Sequence, residues 1–336
     1  MGASCTSDKI NRPTRVSVTQ ETKETLRAKS SYDYLVLSGG GIKGIAYCGA
    51  LKWLQEYDII SPKMKGYAGT SAGSIVAGLL AVGYDVNELM QVMNEMDMKK
   101  ICDDKVGIIR DTYSLIEHYG IAPGDYVMDF LGDLIEKKTG DKDYTLEQLY
   151  KTRGVKLVIV GTNMNTKASK YFHPESEIAA DRTMPIRKAI RISMSIPFVF
   201  TPVEHRGHLY VDGGVLDNYP IHVFDGLFPG DSKNMSCKPN DRVLGLQLLT
   251  IEDDKDIFNP DLSPEKIDSL FEYGISFIHT FMMENDRRFA TAQNIQRTIH
   301  IITPQFSLSK FDISPTEKMD LIDRGRLACK SFFEKQ

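Results

Sequence analysis

Gly69-Thr70-Ser71-Ala72-Gly73 lies between a short strand-like run, Lys65 to Ala68, and an apolar helix-like run, Ser74 to Val82. A serine between two glycines at a strand-to-helix junction reads as a nucleophile elbow. Small neighbours let the backbone turn sharply and leave the serine oxygen exposed at the helix N-terminus. Glycine and serine are also common turn residues. The chemical reading therefore requires a base, an oxyanion site and a substrate site elsewhere in the chain.

A second glycine loop precedes the elbow. Asp33 to Ser38 reads as a buried strand, a short apolar run that stops at Gly39-Gly40-Gly41-Ile42-Lys43-Gly44. Ile45 to Tyr57 then follows as a helix, with Ala46, Leu51 and Leu54 on one side. Strand, glycine loop, helix, strand and helix in that order begin an α/β fold with a parallel sheet. Further strands are expected at 155–161, near 170–173 (paired with the former), at 207–211, at 242–249 and at 298–302. From Val86 to Tyr150 the pattern is mostly helical, with turns near 120–124 and 139–141. Met90, Met93, Met96 and Met98 in this stretch read either as adaptable core filling or as a soft lid that meets lipid. Helices are expected at Pro185 to Ile192, from Ser263 (cap) and Pro264 to about Phe289, and at Pro315 to Phe333.

Composition excludes several classes. A net charge of −4 and the lack of an arginine-rich stripe give no nucleic-acid footprint. No apolar run has the length of a membrane span, and the first thirty residues hold no apolar core of a secretory signal. The five cysteines, Cys5, Cys48, Cys102, Cys237 and Cys329, show no metal-ligand or redox spacing. They read as free thiols of a reducing compartment, and no metal or other cofactor is implied.

Residues 1–30 are polar and lack hydrophobic periodicity, which reads as a mobile arm, with one domain over 31–336. The arm begins Met1-Gly2-Ala3-Ser4-Cys5-Thr6 and fits the N-myristoylation pattern, with Gly2 as acceptor. Cys5 is a candidate for a second acyl chain. Lys9, Arg12, Arg15, Lys23, Arg27 and Lys29 outnumber Asp8, Glu21 and Glu24. One myristoyl chain binds membranes only marginally, so a second chain or a basic patch is needed for stable anchoring. The expectation is a cytoplasmic protein, peripheral on a membrane face, whose partner is a phospholipid surface. Oligomeric state is not legible.

An exposed serine is a weak nucleophile and needs a base and oxyanion donors. Gly39, Gly40 and Gly41 are donor candidates, since a loop that follows a strand and opens a helix aims several N–H groups at one anion. Lys43 reads either as a positive charge near a lipid phosphate or as a solvated helix residue. Gly39, Gly41 and Gly44 also match the spacing of a dinucleotide loop. That site wants an acidic residue about twenty positions on, at the end of the second strand. The second strand ends in Tyr67-Ala68-Gly69, so no nucleotide is expected. Of the histidines, only His222, His279 and His300 follow Asp212 in the Ser–Asp–His order of a hydrolase triad; His279 reads as mid-helix and His300 as in a strand, neither the usual loop position, while His222 lies in a helix-like or loop stretch after Pro220. Asp212 ends a strand and precedes Gly213 and Gly214. A buried carboxylate can act as base directly if its pKa rises toward working pH; the competing reading is an ordinary Asp-Gly turn.

Taken in order, Gly39 to Gly44, Gly69 to Gly73, Ser193-Met194-Ser195-Ile196-Pro197, and Asp212-Gly213-Gly214 followed by Asn218-Tyr219-Pro220 resemble a patatin-like phospholipase over about residues 32–225. Phe311 to Phe333 is similar to the C-terminal helix of the family's smaller members. The resemblance implies a three-layer α/β/α sandwich around a central, mostly parallel sheet. It implies a Ser71–Asp212 dyad without histidine and an oxyanion hole at Gly39–Gly41 with Lys43 nearby. Gly44, Gly69, Gly73, Gly213 and Gly214 are the supporting motif positions. The implied activity is calcium-independent hydrolysis of fatty acyl esters of phospholipids or lysophospholipids, of phospholipase A or lysophospholipase type. Alternatives on the same site are an acyltransferase, a neutral-acylglycerol lipase or a non-catalytic lipid-binding protein. The arm is not part of the family pattern, and its lipidation rests on its own residues.

Overall fold

A computed structural model describes residues 32–60, 63–96, 100, 117–226, 238–250, 267–288, 292–304, 306 and 313–334. The arm, with Gly2 and Cys5, lies outside the described residues, as does Met98.

The chain opens with β1 (Tyr34–Leu37), a 3-10 turn over Gly41–Ile45, α1 (Ala46–Glu56), β2 (Gly66–Gly69), α2 (Ala72–Val82) and α3 (Val86–Glu95). It continues through β3 (Gly120–Ala122), α4 (Asp125–Thr139), α5 (Leu146–Arg153), β4 (Lys156–Asn163), β5 (Ala168–Phe172), α6 (Ala179–Arg182) and α7 (Ile186–Ser193). Then come β6 (Phe198–Phe200), β7 (Val203–His205), β8 (His208–Asp212), a 3-10 turn over Gly213–Val215, and β9 (Val243–Thr250). It closes with α8 (Leu270–Arg288), α9 (Ala292–Gln296), β10 (Thr298–Thr303) and α10 (Pro315–Glu334).

The main sheet runs β10-β9-β1-β2-β4-β8-β7, with β5 also paired to β4. Strands β10, β9, β1, β2 and β4 are parallel; β5 and β8 run antiparallel to β4, and β7 to β8. This is the mixed, mostly parallel sheet flanked by helices that an α/β fold requires. The chain leaves β1 toward β2 and β4, then returns to its other edge with β9 and β10. That reversal puts a crevice at the carboxyl end of β1, where open α/β sheets bind ligands.

Strand residues alternate between two cores, as the two-residue period demands. Leu35, Leu37, Leu157 and Ile159 join a large cluster with α1, α2, α7 and α10. Val36, Val158 and Val160 join a smaller one with Tyr219, Ile221 and Val223. α10 lies directly on α1. A side chain at Gly49 would meet the Ile322 carbonyl, and one at Gly325 the Ala46 carbonyl, each within 2 Å. Backbone-to-backbone contact therefore fixes α1, which carries the first glycine loop. A capping box starts α10: Glu317 N–H donates to Ser314 Oγ at 3.2 Å and Ser314 N–H to Glu317 at 2.8 Å.

Three expectations change. Gly120–Ala122 is not a turn but a strand, paired in parallel with Phe198–Phe200. The long helix begins at Leu270, where Ser269 Oγ accepts the Glu272 N–H at 3.1 Å; Ser263 and Pro264 lie outside the described residues. Pro185 is the cap residue of α7 rather than its first helical residue.

Candidate active site

Ser71 caps α2 with φ 50° and ψ −124°. A positive φ is costly for a residue with a Cβ, and the surroundings hold it there. Ser71 N–H donates to Ser193 Oγ at 2.9 Å, and Ser74 Oγ donates back to the Ser71 carbonyl at 2.6 Å. Gly73 packs against the end of β1 so closely that a Cβ would lie 2.5 Å from the Leu37 and Ser38 carbonyls. The elbow is therefore wedged between β1 and α7, and Ser71 sits at the positive end of the α2 dipole.

The glycine loop lies beside it. A Cβ on Gly39 would come within 3.2 Å of the Ser71 Cβ. Gly39 N–H is already used, donating to the Asn218 carbonyl at 2.9 Å, so Gly39 shapes the loop rather than supplying a donor. Among the described residues the Gly40 and Gly41 N–H groups donate to no protein acceptor. Gly41 takes φ +54° with open space where a side chain would be, leaving room for a substrate atom. Lys43 is buried within the 3-10 turn, which overturns its reading as a solvated residue.

Asp212 ends β8 and is fully buried. Pairing of β8 with β4 at Gly161, together with an N–H bond from Asp212 to the Ser195 carbonyl at 2.9 Å, sets its position. Oδ1 accepts the Gly214 N–H at 2.7 Å. Oδ2 is buried without a hydrogen bond of ordinary geometry. The Ser71 hydroxyl is the one side chain near enough to draw the carboxyl pKa down. Burial outweighs both contacts and pushes Asp212 up to about 7. Catalytic contacts are often long or bent without substrate and tighten in the complex. The Asp-Gly turn expected as the competing reading exists here too, as the 3-10 turn after Asp212.

Among the described residues the histidines in ion pairs have partners other than Ser71. His222 lies with Asp217, Nε2 to Oδ2 at 3.6 Å, and His205 with Asp181 at 3.0 Å. Asn218 was quoted in the sequence only as part of a motif and Asp217 not at all, yet they join the two loops. Thr70 Oγ1 donates to the Asp217 carbonyl at 3.1 Å, while the Asn218 carbonyl holds Gly39. The Asp217 side chain accepts from Tyr171 Oη at 2.8 Å. Arg191, buried on α7, bonds Ser195 Oγ and donates to the Pro123 and Thr201 carbonyls. A charge between Ile190 and Ile192 was the available sequence signal for that role.

An apolar pocket, partly open to solvent, leads away from Ser71. Ile45, Ile75, Met93, Met96, Met194 and Phe200 wall it, with Gly41 and Ser71 at one end. Two of the four methionines thus line the pocket next to the serine. Among the described residues no group of three or more His, Cys, Asp or Glu side chains is placed to hold a metal ion.

A family model described as patatin-like phospholipase matches residues 35–225, which include the glycine loop, the elbow and Asp212. The chain belongs to that family. Among its relatives, the uncharacterized protein R571 of Acanthamoeba polyphaga mimivirus is 38% identical over 198 residues, 59% of this chain and 63% of that protein's length. The uncharacterized YqhO of Bacillus subtilis is 27% identical over 89% of this chain and 97% of its own length. The probable lipid hydrolase 463L of Invertebrate iridescent virus 6 is 28% identical over 57% of this chain and 63% of its own. VipD from Legionella pneumophila has a similar fold, with a TM-score of 0.56 at 17% identity, over 91% of this chain and 67% of VipD. Membership in this lipid hydrolase family fits a site whose apolar pocket is lined in part by the elbow serine.

Proposed function

We propose that this patatin-like protein hydrolyses fatty acyl esters of phospholipids or lysophospholipids through a Ser71–Asp212 dyad. The observation that carries the reading is a strained serine beside a buried carboxyl whose pKa lies near 7, at the end of an apolar pocket. The acyl chain lies in the pocket, with its carbonyl carbon at Ser71 Oγ. Asp212 takes the hydroxyl proton as the oxygen attacks. The Gly40 and Gly41 N–H groups, with the α2 dipole, hold the oxyanion. Collapse of the tetrahedral adduct breaks the ester bond, and Asp212 returns the proton to the departing alcohol. Water then attacks the acyl-Ser71 ester, giving its proton to Asp212; collapse of that adduct breaks the acyl–Oγ bond, Asp212 returns the proton to Ser71 Oγ, and the fatty acid leaves. This sequence calls for no calcium, so a chelator leaves the rate unchanged.

The test is fatty-acid release from mixed phospholipid vesicles by wild type, Ser71→Ala and Asp212→Asn. Full activity in Ser71→Ala ends the proposal. We place the protein on a cytoplasmic membrane face through acylation at Gly2 and Cys5; membrane partitioning of Gly2→Ala equal to that of wild type contradicts that placement.

A further inference from the structure

The sequence of α8 is unusual for a surface helix. From Leu270 to Met282 it carries one acidic side chain, one histidine and no lysine or arginine. One side is held by the molecule. Ile275 and Met282 are buried, and the Met282 Cε lies against Gly214, two residues after Asp212, 2.6 Å from where a Cβ there would stand. The other side is bare. Leu270 is 83% exposed, Tyr273 57%, Phe277 52% and Phe281 46%. Steps of three and four residues put these four on one stripe of the helix.

A fourth ring joins them from the strand beside the pocket. Phe198 lies between two pocket-lining residues, Ile196 and Phe200. It takes φ 69°, a strained value for an aromatic residue, and its side chain stays 37% exposed. Its ring sits over Gly274, where a Cβ would be 2.9 Å from it. Position 274 is four residues from Leu270 and three from Phe277, so Phe198 continues the stripe. The exposed apolar face therefore runs from α8 to Phe198, whose sequence neighbours Ile196 and Phe200 line the Ser71 pocket.

We propose that this face, the α8 stripe with Phe198, is where the protein rests on a phospholipid bilayer and from which lipid reaches Ser71. The occupant follows from the surroundings. Large exposed apolar patches mark interaction sites, and this one adjoins the pocket assigned to an acyl chain. Half-exposed aromatic rings suit the interface between headgroups and chains. The stripe offers only the Tyr273 hydroxyl to recognise a folded partner. No described helix is long and apolar enough to cross a membrane, so α8 lies on the bilayer rather than through it. With no basic residue in the stripe, docking there needs no anionic lipid and resists salt. The inference rests on the acyl-hydrolase reading for its direction but not for its test.

The experiment is co-sedimentation of the full chain with phosphatidylcholine vesicles, in a Gly2→Ala, Ser71→Ala background so that neither an acylated arm nor turnover contributes. Phe277→Ser with Phe281→Ser is expected to lower the vesicle partition coefficient about tenfold or more, at low and at high salt. In the Ser71 background the same pair is expected to slow release from vesicles by a similar factor and to leave hydrolysis of a soluble short-chain ester unchanged, which also reports folding. Phe198→Ser is a second variant with the same expected loss of binding. Unchanged partitioning overturns the proposal. So does a fall in oligomeric mass with unchanged partitioning, which assigns the face to a second copy. A protein that hydrolyses no ester at all contradicts the acyl-hydrolase reading, while the partition result still decides the docking surface.

Discussion

Asp212 and Asp217 stand five residues apart on the same turn, both buried with carboxyls raised by burial, yet their surroundings differ. Asp217 is furnished as a structural group: Tyr171 donates to it, His222 lies at 3.6 Å, and its backbone holds Thr70. Asp212 has one backbone donor and a loosely placed serine hydroxyl. Burial raises the proton affinity of both carboxyls, and each keeps one oxygen without a hydrogen bond; Asp217 is in addition anchored by a tyrosine and a histidine. On the proposed mechanism the difference separates a proton acceptor from a strut that holds two loops together. His222, held below its ordinary pKa by burial, belongs to the strut.

The largest test of this contrast is activity. Asp212→Asn is expected to lower kcat on a soluble ester on the order of a thousandfold or more. Asp217→Asn keeps the Tyr171 acceptor and is expected to stay within about tenfold of wild type. Equal losses in both would erase the distinction.

Stability against pH gives the next largest effect. The Asp212 pKa is raised from 3.8 to about 7 on folding. The folded state therefore holds a proton that the unfolded chain releases between those values. Stability falls as pH rises across that window, and the full cost is present above about pH 7. At about 1.4 kcal/mol per unit, the cost reaches about 4 kcal/mol. Asp212→Asn removes it, so thermal melts should favour the variant at pH 8 and converge with wild type below pH 4.

Ser193→Ala comes third. It strips the acceptor from the Ser71 N–H, costing about 1–3 kcal/mol by chemical denaturation. It should lower kcat more than it changes KM, because it frees the strained serine. Tyr171→Phe is smallest, at about 1 kcal/mol with activity unchanged; a large activity loss there would make Asp217 more than a strut.

Much of the site was legible because it is local. Gly39–Gly41 and Ser71 lie at strand ends followed by helices, and such junctions leave a glycine signature. Asp212 was readable as a carboxylate between a strand and two glycines. The roles of Ser193, Asp217 and Arg191 were not, since each depends on partners 50 to 150 residues away in the chain that only the sheet order brings together. Gly120–Ala122 looked like a turn for the same reason: its strand character comes from Phe198–Phe200, not from its own composition. Gly39 failed as a donor because Asn218 claims its N–H. Lys43 proved buried because α1 and α2 close over the turn that carries it. The described helix starts at Leu270 after the Ser269 cap, while the expected cap at Ser263 and Pro264 lies outside the described residues.

The central claim is that Asp212 alone takes the Ser71 proton. The direct measurement is kcat/KM for a soluble short-chain ester across pH 5 to 9, in wild type, Asp212→Asn and His222→Gln. The account predicts a rise to a plateau with an apparent pKa near 7 in wild type and His222→Gln, and loss of the rising limb with the activity in Asp212→Asn. A limb that survives in Asp212→Asn, or disappears only in His222→Gln, would contradict it.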